Sequence, residues 1–409
     1  MVRFAICGDD TGPIKIGAQR NAILLYSAGK KILFTDDDVI CSLHSIPGAD
    51  PSLDIKKLFL TSFSLRRSWF FDDYESATAY FPKIEMNYLE AHEAMLGKMA
   101  SQIIGNLPNR NNATFDKEPG GVSDALIKKI GGVVSPNIKI STTHSGMVGD
   151  TFMRVHTPIM VSLSDTEYSL WGHSKEEYIK NRNTSVIAKA FDQYSLYNGP
   201  VCIGYTLGVD ARDLIPPFSP LHRAEDGIFG HLLHIGFPHA VSGYIPLLVE
   251  HKRAIGRIPL SDTVKAFSTI ARLTMIAMGN AQPIQLDPEI TLRDIGQKLI
   301  DMSAIQPKEF KKIMLNECLQ LFSAFAKHSR VFKEYYKNAP AYWQEDMDQM
   351  IEGVEAVANG NLPIPIFWDV DGWDASDEKT WIMFGKWLEK YGNVLVHWPA
   401  MFQFRVAHQ

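Results

Sequence analysis

The sequence predicts an α/β protein in which a sheet flanked by helices is followed by a mostly helical C-terminal region. Strand and helix signals alternate quickly over the first forty residues. Helical patterns predominate from residue 259 onward. We therefore divide the chain of 409 residues into one domain over residues 1–258 and a helical domain over residues 259–409.

The predicted sheet begins with residues 4–35. An apolar run over residues 4–7 has the composition of a short strand, and turn-forming residues follow it at positions 8–13. Residues 18–28 have helical composition, and Gly29 stands where a C-cap glycine belongs. Residues 31–35 then form a buried-strand pattern. Strand, helix and strand in this order predict a parallel sheet.

Three aspartates, Asp36, Asp37 and Asp38, directly follow the strand over residues 31–35. Ligands of such sheets bind at the carboxyl ends of strands, and Mg²⁺ and Mn²⁺ prefer carboxylate oxygens. Side chains on an extended segment alternate with a period of two, so Asp36 and Asp38 point the same way while Asp37 faces elsewhere. The pair is predicted to share a cation, or to bind a metal and a ribose; a solvated loop is the alternative.

The later elements are read from pattern alone. We predict a helix over residues 87–104 and a strand over residues 137–140. The glycine-rich residues 142–150 are expected to form a loop, either lining a ligand pocket or making a surface turn. Further helices are predicted over residues 262–278, 291–302, 307–327 and 342–358, followed by a tryptophan-rich tail that is expected mainly to pack in the core.

Composition excludes several classes of protein. With 41 basic and 46 acidic residues and no long basic run, a nucleic-acid partner is not expected. The four cysteines form no CxxC pair, so we expect reduced, buried thiols and neither a disulfide framework nor a structural zinc site. No apolar stretch approaches the ~20 residues of a membrane span, and no signal-peptide pattern opens the sequence, so we expect a cytoplasmic protein.

The segment over residues 17–39 reads GAQRNAILLYSAGKKILFTDDDV. It resembles the nucleotide-sugar-binding stretch of family 2-like glycosyltransferases with the GT-A fold. The resemblance implies that Asp36 and Asp38 contact the metal and the nucleotide, and that Arg20 lies near the diphosphate or the base. On this basis Arg20, Asn21, Asp36 and Asp37 are predicted to bind the cofactor; for Arg20, a solvated helix charge is the alternative.

Enzymes of that family open with a strand–helix–strand unit that recognises the nucleobase. Here we expect this unit either to be shortened to the turn at Gly8-Asp9-Asp10 or to lie upstream of Met1. The domain over residues 1–258 is accordingly expected to be a GT-A-like glycosyltransferase domain with an incomplete first unit.

A second segment, over residues 216–251, is similar to the acceptor side of the same enzymes. There an acidic pair precedes a helix, and a metal-binding histidine can follow some 25 residues later; the matching residues here are Glu225, Asp226 and His251. The resemblance implies that Asp226 or Glu225 is the general base of an inverting transfer, and that His251 joins Asp36 and Asp38 on the metal. The alternatives are an acidic helix N-terminus, favoured by the helix dipole, and a structural histidine.

Taken with the resemblance, the sequence predicts a transferase that uses Mn²⁺ or Mg²⁺ and a UDP- or GDP-sugar as donor, with an unknown acceptor. A non-catalytic GT-A-like scaffold that binds a nucleotide or a protein is the first alternative. A nucleotidyltransferase is the second, although Lys15 and Arg20 are few cations for a triphosphate. The C-terminal helices are candidates for binding an acceptor peptide, a carrier or a second protomer, so a homo-oligomer remains open.

Overall fold

The computed structural model describes residues 2–8, 15–50, 52–61, 67–106, 113–115, 137–151, 171–197, 202–252, 263–279 and 287–408. In these ranges the helices are α1 (Val2–Cys7), α2 (Ile16–Tyr26), α3 (Tyr74–Tyr80), α4 (Tyr88–Glu93), α5 (Ala100–Gly105), α6 (Lys175–Asn183), α7 (Glu225–Gly236), α8 (Thr263–Ala266), α9 (Ile270–Met278), α10 (Pro288–Ser303), α11 (Pro307–Tyr335), α12 (Ala341–Ala358) and α13 (Glu378–Ala407). The strands are β1 (Lys31–Thr35), β2 (Val39–Ser45), β3 (Leu58–Thr61), β4 (Arg67–Phe70), β5 (Lys83–Ile84), β6 (Ala113–Phe115), β7 (Lys139–Asp150), β8 (Val186–Ala190), β9 (Ser195–Tyr197), β10 (Thr206–Asp210) and β11 (Ala240–His251). The prediction of a mixed α/β chain with a helical C-terminal region is confirmed.

The strands form one mixed sheet around two long central strands, β7 and β11, which run parallel to each other. The main path has the order β1-β10-β7-β11-β9-β3-β6. The second half of β7 pairs instead with β8, which carries β4. The second half of β11 likewise pairs with β2, which carries β5. The sheet therefore divides part-way along its two central strands.

The division coincides with an irregularity in the β7–β11 pairing. The register shifts between Tyr244 and Leu248, and Pro246, which has no N–H to donate, lies inside this interval. Such a bulge bends a strand and increases its twist. Each central strand thereby exchanges one outer neighbour for another, and the sheet curls.

The predicted parallel sheet at the start of the chain is wrong. Among the described strands β1 pairs only with β10, and the two are antiparallel. The strand after the aspartates, β2, pairs with β11 rather than returning beside β1. As an edge strand, β1 is also less buried than predicted: of its five side chains only that of Phe34 is buried.

Residues 4–7 are helical rather than extended, because they belong to α1. A short apolar run has the same composition in a buried helix and in a strand, so periodicity could not separate the two. Ala5 packs in the core, and the Phe4 ring contacts Trp387 of α13. Residues 9–14, which include most of the predicted turn and the Asp9-Asp10 pair, lie outside the described residues.

Residues 142–150 form part of β7, so neither a pocket loop nor a surface turn is present there. The small side chains of this segment suit a strand crowded from both sides. A β-carbon on Gly146 would lie 2.5 Å from the Ala190 side chain and 2.6 Å from the Lys189 carbonyl oxygen. The glycine that suggested a loop therefore permits close strand packing.

Two predicted helices are broken in two. Residues 87–104 contain α4 and α5, separated at Gly97, which has φ of 76°. The segment at 262–278 contains α8 and α9, while α10, α11 and α12 confirm the three later predictions. The four cysteines are free as expected, but Cys7 and Cys41 are exposed. Among the described residues no helix is long and apolar enough to cross a membrane.

The largest hydrophobic cluster joins both halves of the chain. It contains residues of α1, α2, β1, β10 and α7 together with residues of α9, α10, α11 and α13. Trp381, Trp387 and Trp398 of the predicted tail are buried in it, whereas Trp368 keeps 40% of its surface exposed. The hydrophobic core thus spans the proposed boundary between residues 258 and 259.

Candidate functional site

A cavity of about 720 Å³ lies where β1 ends and α7 begins. Its walls come from four parts of the chain: α2, the end of β1, the segment before β10 and the start of α7. The lining residues are Ile16, Gln19, Arg20, Ile23, Phe34, Thr35, Asp36, Asp37, Asp38, Ile203, Gly204, Tyr205, Arg223, Ala224, Glu225 and Asp226. The structure thus brings together the aspartates, the arginine and the acidic pair that the two sequence segments singled out separately.

Arg20 of α2 joins the two acidic groups of the cavity. Its guanidinium donates to Asp36 Oδ1 at 2.7 Å and to Glu225 Oε1 at 2.8 Å. A third bond, 3.2 Å long, reaches the carbonyl oxygen of Gly204. Its side chain is also packed against Phe218, with Cζ 5.4 Å from the ring centre. Arg20 is only 6% exposed, so the solvated-charge alternative is wrong.

Two glycines make room for this arrangement. A β-carbon on Gly204 would stand 2.1 Å from the nearest guanidinium nitrogen of Arg20. One on Gly17, a turn before Arg20 in α2, would stand 1.8 Å from the carbonyl oxygen of Ser219 and 3.1 Å from the β-carbon of Glu225. The position of Arg20 between two carboxylates therefore depends on the absence of a side chain at both sites.

The acidic pair at the start of α7 separates into two environments. Glu225 is buried, and Asp226 is half-buried and lines the cavity. Burial, followed by the negative charge of Asp226, raises the pKa of Glu225 against the opposing effect of Arg20. The carboxylate of Asp226 is oriented by two backbone amides, since it accepts from Gly204 N–H at 2.8 Å and from Gly227 N–H at 2.7 Å. Both residues line the cavity, and Asp226 is the more exposed of the two, with its carboxylate oriented by backbone N–H groups.

The three aspartates differ in their contacts. Asp36 is bound by Arg20, and burial raises its pKa while Arg20 opposes this. Asp37 is exposed and lines the same cavity, so the prediction that it faces elsewhere is wrong: the aspartates lie in a turn, closed by the bond from Val39 N–H to the Asp36 carbonyl oxygen, rather than in an extended segment. Asp38 Oδ1 lies 3.2 Å from His251 Nε2, and the other ring nitrogen of His251 donates to the carbonyl oxygen of Asp150 at 2.7 Å.

A divalent cation suits this site only in part. Asp36 and Asp38 are hard oxygen donors on one cavity wall, which is the chemistry that Mg²⁺ or Mn²⁺ requires. The β2–β11 pairing brings His251 opposite Val39 and close to Asp38, whereas Asp36 is held by Arg20. In the part of the chain that the structure describes, no three His, Cys, Asp or Glu side chains are grouped as a cation site. Of the three predicted metal ligands, Asp36 and Asp38 line the cavity and His251 does not, so a cation here would take its protein oxygens from these two carboxylates.

Asn21 has a different role from the predicted cofactor contact. Its side-chain amide donates to the carbonyl oxygens of Ala5 and Phe218 and accepts from the N–H of Phe218. Phe218 lies in residues 215–221, a buried segment without regular structure, which we call the 215–221 segment. Buried backbone groups need hydrogen-bond partners, and Asn21 is the partner of both the N–H and the carbonyl oxygen of Phe218. Its side chain is fully buried and does not line the cavity.

The same segment is fixed from its other side by α13. Trp398 Nε1 donates to the carbonyl oxygen of Ile215 at 2.7 Å, and the Tyr391 hydroxyl donates to that of Pro217 at 3.4 Å. The segment leads within four residues to Glu225. Helix α13 therefore contributes to the geometry of a site that it does not line.

Arg223 and Gly204 are cavity residues that the sequence did not reveal. Arg223 is exposed at the cavity wall and lies between two residues with positive φ, His222 at 69° and Ala224 at 60°. Non-glycine residues rarely adopt this conformation, and it costs of order 1–3 kcal/mol where it occurs. A basic residue two positions before an acidic pair was the available signal for Arg223; nothing in the sequence marked Gly204.

Comparisons of the chain with protein-family models, with curated proteins and with solved structures give no match.

Proposed function

We propose that this chain is a metal-dependent glycosyltransferase that moves a sugar from a nucleotide-sugar donor to an acceptor hydroxyl with inversion. The observation that carries the proposal is the convergence of Arg20, Asp36, Asp38 and Asp226 on one cavity. These residues come from two segments about two hundred positions apart, and the resemblance implies this chemistry for both segments. A cavity of about 720 Å³ is within the range of small-molecule sites.

In this proposal Asp226 is the general base. Its carboxylate faces the cavity and is oriented by two backbone N–H groups. It takes the proton of the acceptor hydroxyl while that oxygen attacks the anomeric carbon, and the bond from this carbon to the diphosphate oxygen breaks. Glu225 is buried and bonded to Arg20, so in this proposal it acts by positioning the arginine.

The donor diphosphate is assigned to the wall formed by Asp36, Asp38 and Arg20. Asp36 and Asp38 would hold the Mn²⁺ or Mg²⁺, which would supply positive charge to stabilise the departing nucleotide diphosphate. Arg20 places a second positive charge at the same wall. Arg223, at the cavity wall on the α7 side, is a further cation available to the phosphates.

A second candidate function is a binding scaffold without catalysis. It is favoured by one observation: Asp36 and Glu225 are both ion-paired with Arg20 within the protein itself. Because these carboxylates already have a positively charged partner in the protein, the site needs no metal cation to be stable. This candidate predicts that a nucleotide or a protein binds without metal and that no sugar is transferred.

Calorimetric titration with a panel of nucleotide diphosphates, with and without Mn²⁺, separates the two functions. We expect one diphosphate to bind in a Mn²⁺-dependent manner and to lose at least tenfold in affinity in an Asp36→Asn/Asp38→Asn variant. The matched control is Asp294→Asn/Asp371→Asn, which removes two exposed carboxylates elsewhere and should bind as the wild type does. If no diphosphate binds to the wild-type chain with or without Mn²⁺, the transferase proposal is wrong. Diphosphate binding with the same affinity in the presence and absence of Mn²⁺ supports the binding scaffold.

A further inference from the structure

One ion pair in the cavity involves the same carboxylate that a cation would need. Asp36 is a proposed metal ligand, and its Oδ1 already accepts a bond from Arg20 at 2.7 Å. A carboxylate oxygen bound to a divalent cation faces a positive charge that repels a guanidinium beside it. The cation and Arg20 therefore compete for Asp36.

The two carboxylate partners of Arg20 differ in how easily they can be given up. The Asp36 side chain keeps 39% of its surface exposed and faces the cavity, whereas that of Glu225 keeps 9%. An exposed carboxylate that loses its partner is solvated by water, but a buried one is left with an uncompensated charge. Arg20 is thus released by Asp36 before it is released by Glu225.

We propose that Arg20 is a displaceable counter-ion of Asp36. Arg20 is paired with Asp36 until a divalent cation binds to that carboxylate. The freed edge of its guanidinium then faces the anionic part of the ligand. Glu225 and the carbonyl oxygen of Gly204 hold the guanidinium in place throughout. The inference rests on the cation site of the proposed function. Its consequence is that cation and nucleotide diphosphate bind cooperatively, because the cation releases the second positive charge.

Binding of Mn²⁺ alone, without nucleotide, tests the competition directly. The Arg20→Met/Glu225→Gln variant removes the competitor together with its buried partner, so that no uncompensated charge is left in the core and the net charge is unchanged. We expect this variant to bind Mn²⁺ about tenfold more tightly than the wild type, as measured by the electron paramagnetic resonance signal of free Mn²⁺. The single variant Glu225→Gln leaves Arg20 with Asp36 as its one carboxylate partner and should bind Mn²⁺ more weakly.

An Arg223→Met variant controls for general electrostatics, because it removes a cation from the same cavity wall. A gain in Mn²⁺ affinity in that variant equal to the gain in the double variant overturns the proposal. So does an unchanged or weaker Mn²⁺ affinity in Arg20→Met/Glu225→Gln, and so does the absence of Mn²⁺ binding in every variant.

Titration with the nucleotide diphosphate in saturating Mn²⁺ then tests the second half of the inference. The double variant should lose at least tenfold in affinity for the diphosphate, although it binds the metal more tightly; unchanged affinity contradicts a role for the released arginine. Failure of the proposed function has a different signature. In that case Mn²⁺ binding responds to the variants as expected, but no nucleotide diphosphate binds to the wild type.

Discussion

Replacing Gly17 by alanine tests whether close contact between α2 and the 215–221 segment sets the geometry of the site. Alanine favours the helical backbone over glycine by at most roughly 0.5–1 kcal/mol at this position, the second residue of α2. The new β-carbon, however, would stand 1.8 Å from a backbone oxygen, where ordinary contacts begin at 3.4 Å. Since that oxygen lies in a buried segment fixed by Asn21 and α13, it cannot move away alone. Overpacking of this kind costs ~1–3 kcal/mol or more, so we expect a net loss of about 2 kcal/mol.

The assay is urea denaturation compared with Gly353→Ala. Gly353 lies inside α12, and a β-carbon there meets nothing within 4 Å. That control should gain roughly 0.5–1 kcal/mol from helix propensity. Because α2 must move away from the segment, Gly17→Ala should also weaken Mn²⁺-dependent diphosphate binding, whereas the control should not. A Gly17→Ala protein as stable as the control would refute the packing argument.

Three further expectations follow from described contacts. Arg20→Met alone should destabilise the protein by ~3–5 kcal/mol, because it leaves the buried Glu225 without a counter-charge. Adding Glu225→Gln to the same chain should restore most of this loss. Urea unfolding of both proteins provides the measurement. Gly392→Ala in α13 should destabilise the protein by ~1–3 kcal/mol, since its β-carbon would lie 2.6 Å from the carbonyl oxygen of Gly296 in α10. Thermal unfolding at the same temperature as the wild type would contradict this. Burial lowers the pKa of His92 to about 3, so the folded protein keeps this side chain neutral, while the unfolded chain binds a proton below about pH 6.5. The free energy of unfolding should therefore fall by ~1.4 kcal/mol for each unit by which the pH is lowered between these two values. His92→Gln should remove that share of the pH dependence.

The sequence predicted those elements whose signals are local. Helix α2 and strand β1 lie where the turn residues and apolar patterns indicated, and the acidic pair begins helix α7, in agreement with what the resemblance implies. The direction of β1 was wrong, because direction depends on which distant strand supplies the hydrogen bonds, and β10 lies about 170 residues further along the chain. Only the start of strand β7 lies in the strand predicted over residues 137–140. Residues 142–150 have the glycine and small polar composition of a loop, and the crowded sheet around them explains their presence.

The site residues followed the same rule. Asp36 is predicted from its residue type and its place after a strand, whereas Arg20, Glu225 and Asp226 are implied by the resemblance; all four line one cavity. The same resemblance implies that Asn21, the next residue after Arg20, contacts the cofactor. A helix turns by about 100° per residue, so adjacent residues face different surroundings, and Asn21 points into the buried 215–221 segment.

The hydrogen bonds from α13 to the 215–221 segment have a consequence for protein synthesis. Trp398 and Ile215, which share a hydrogen bond, are 183 residues apart along the chain. While a nascent chain is being extended, the aspartates, Arg20 and the acidic pair have all left the ribosome long before the indole that fixes the loop between them. Contacts over such long separations form late, because the entropy of closing the loop must be overcome first. We therefore expect a ligand-competent cavity to mature only after α13 has been released, so that partly synthesised chains do not bind donor.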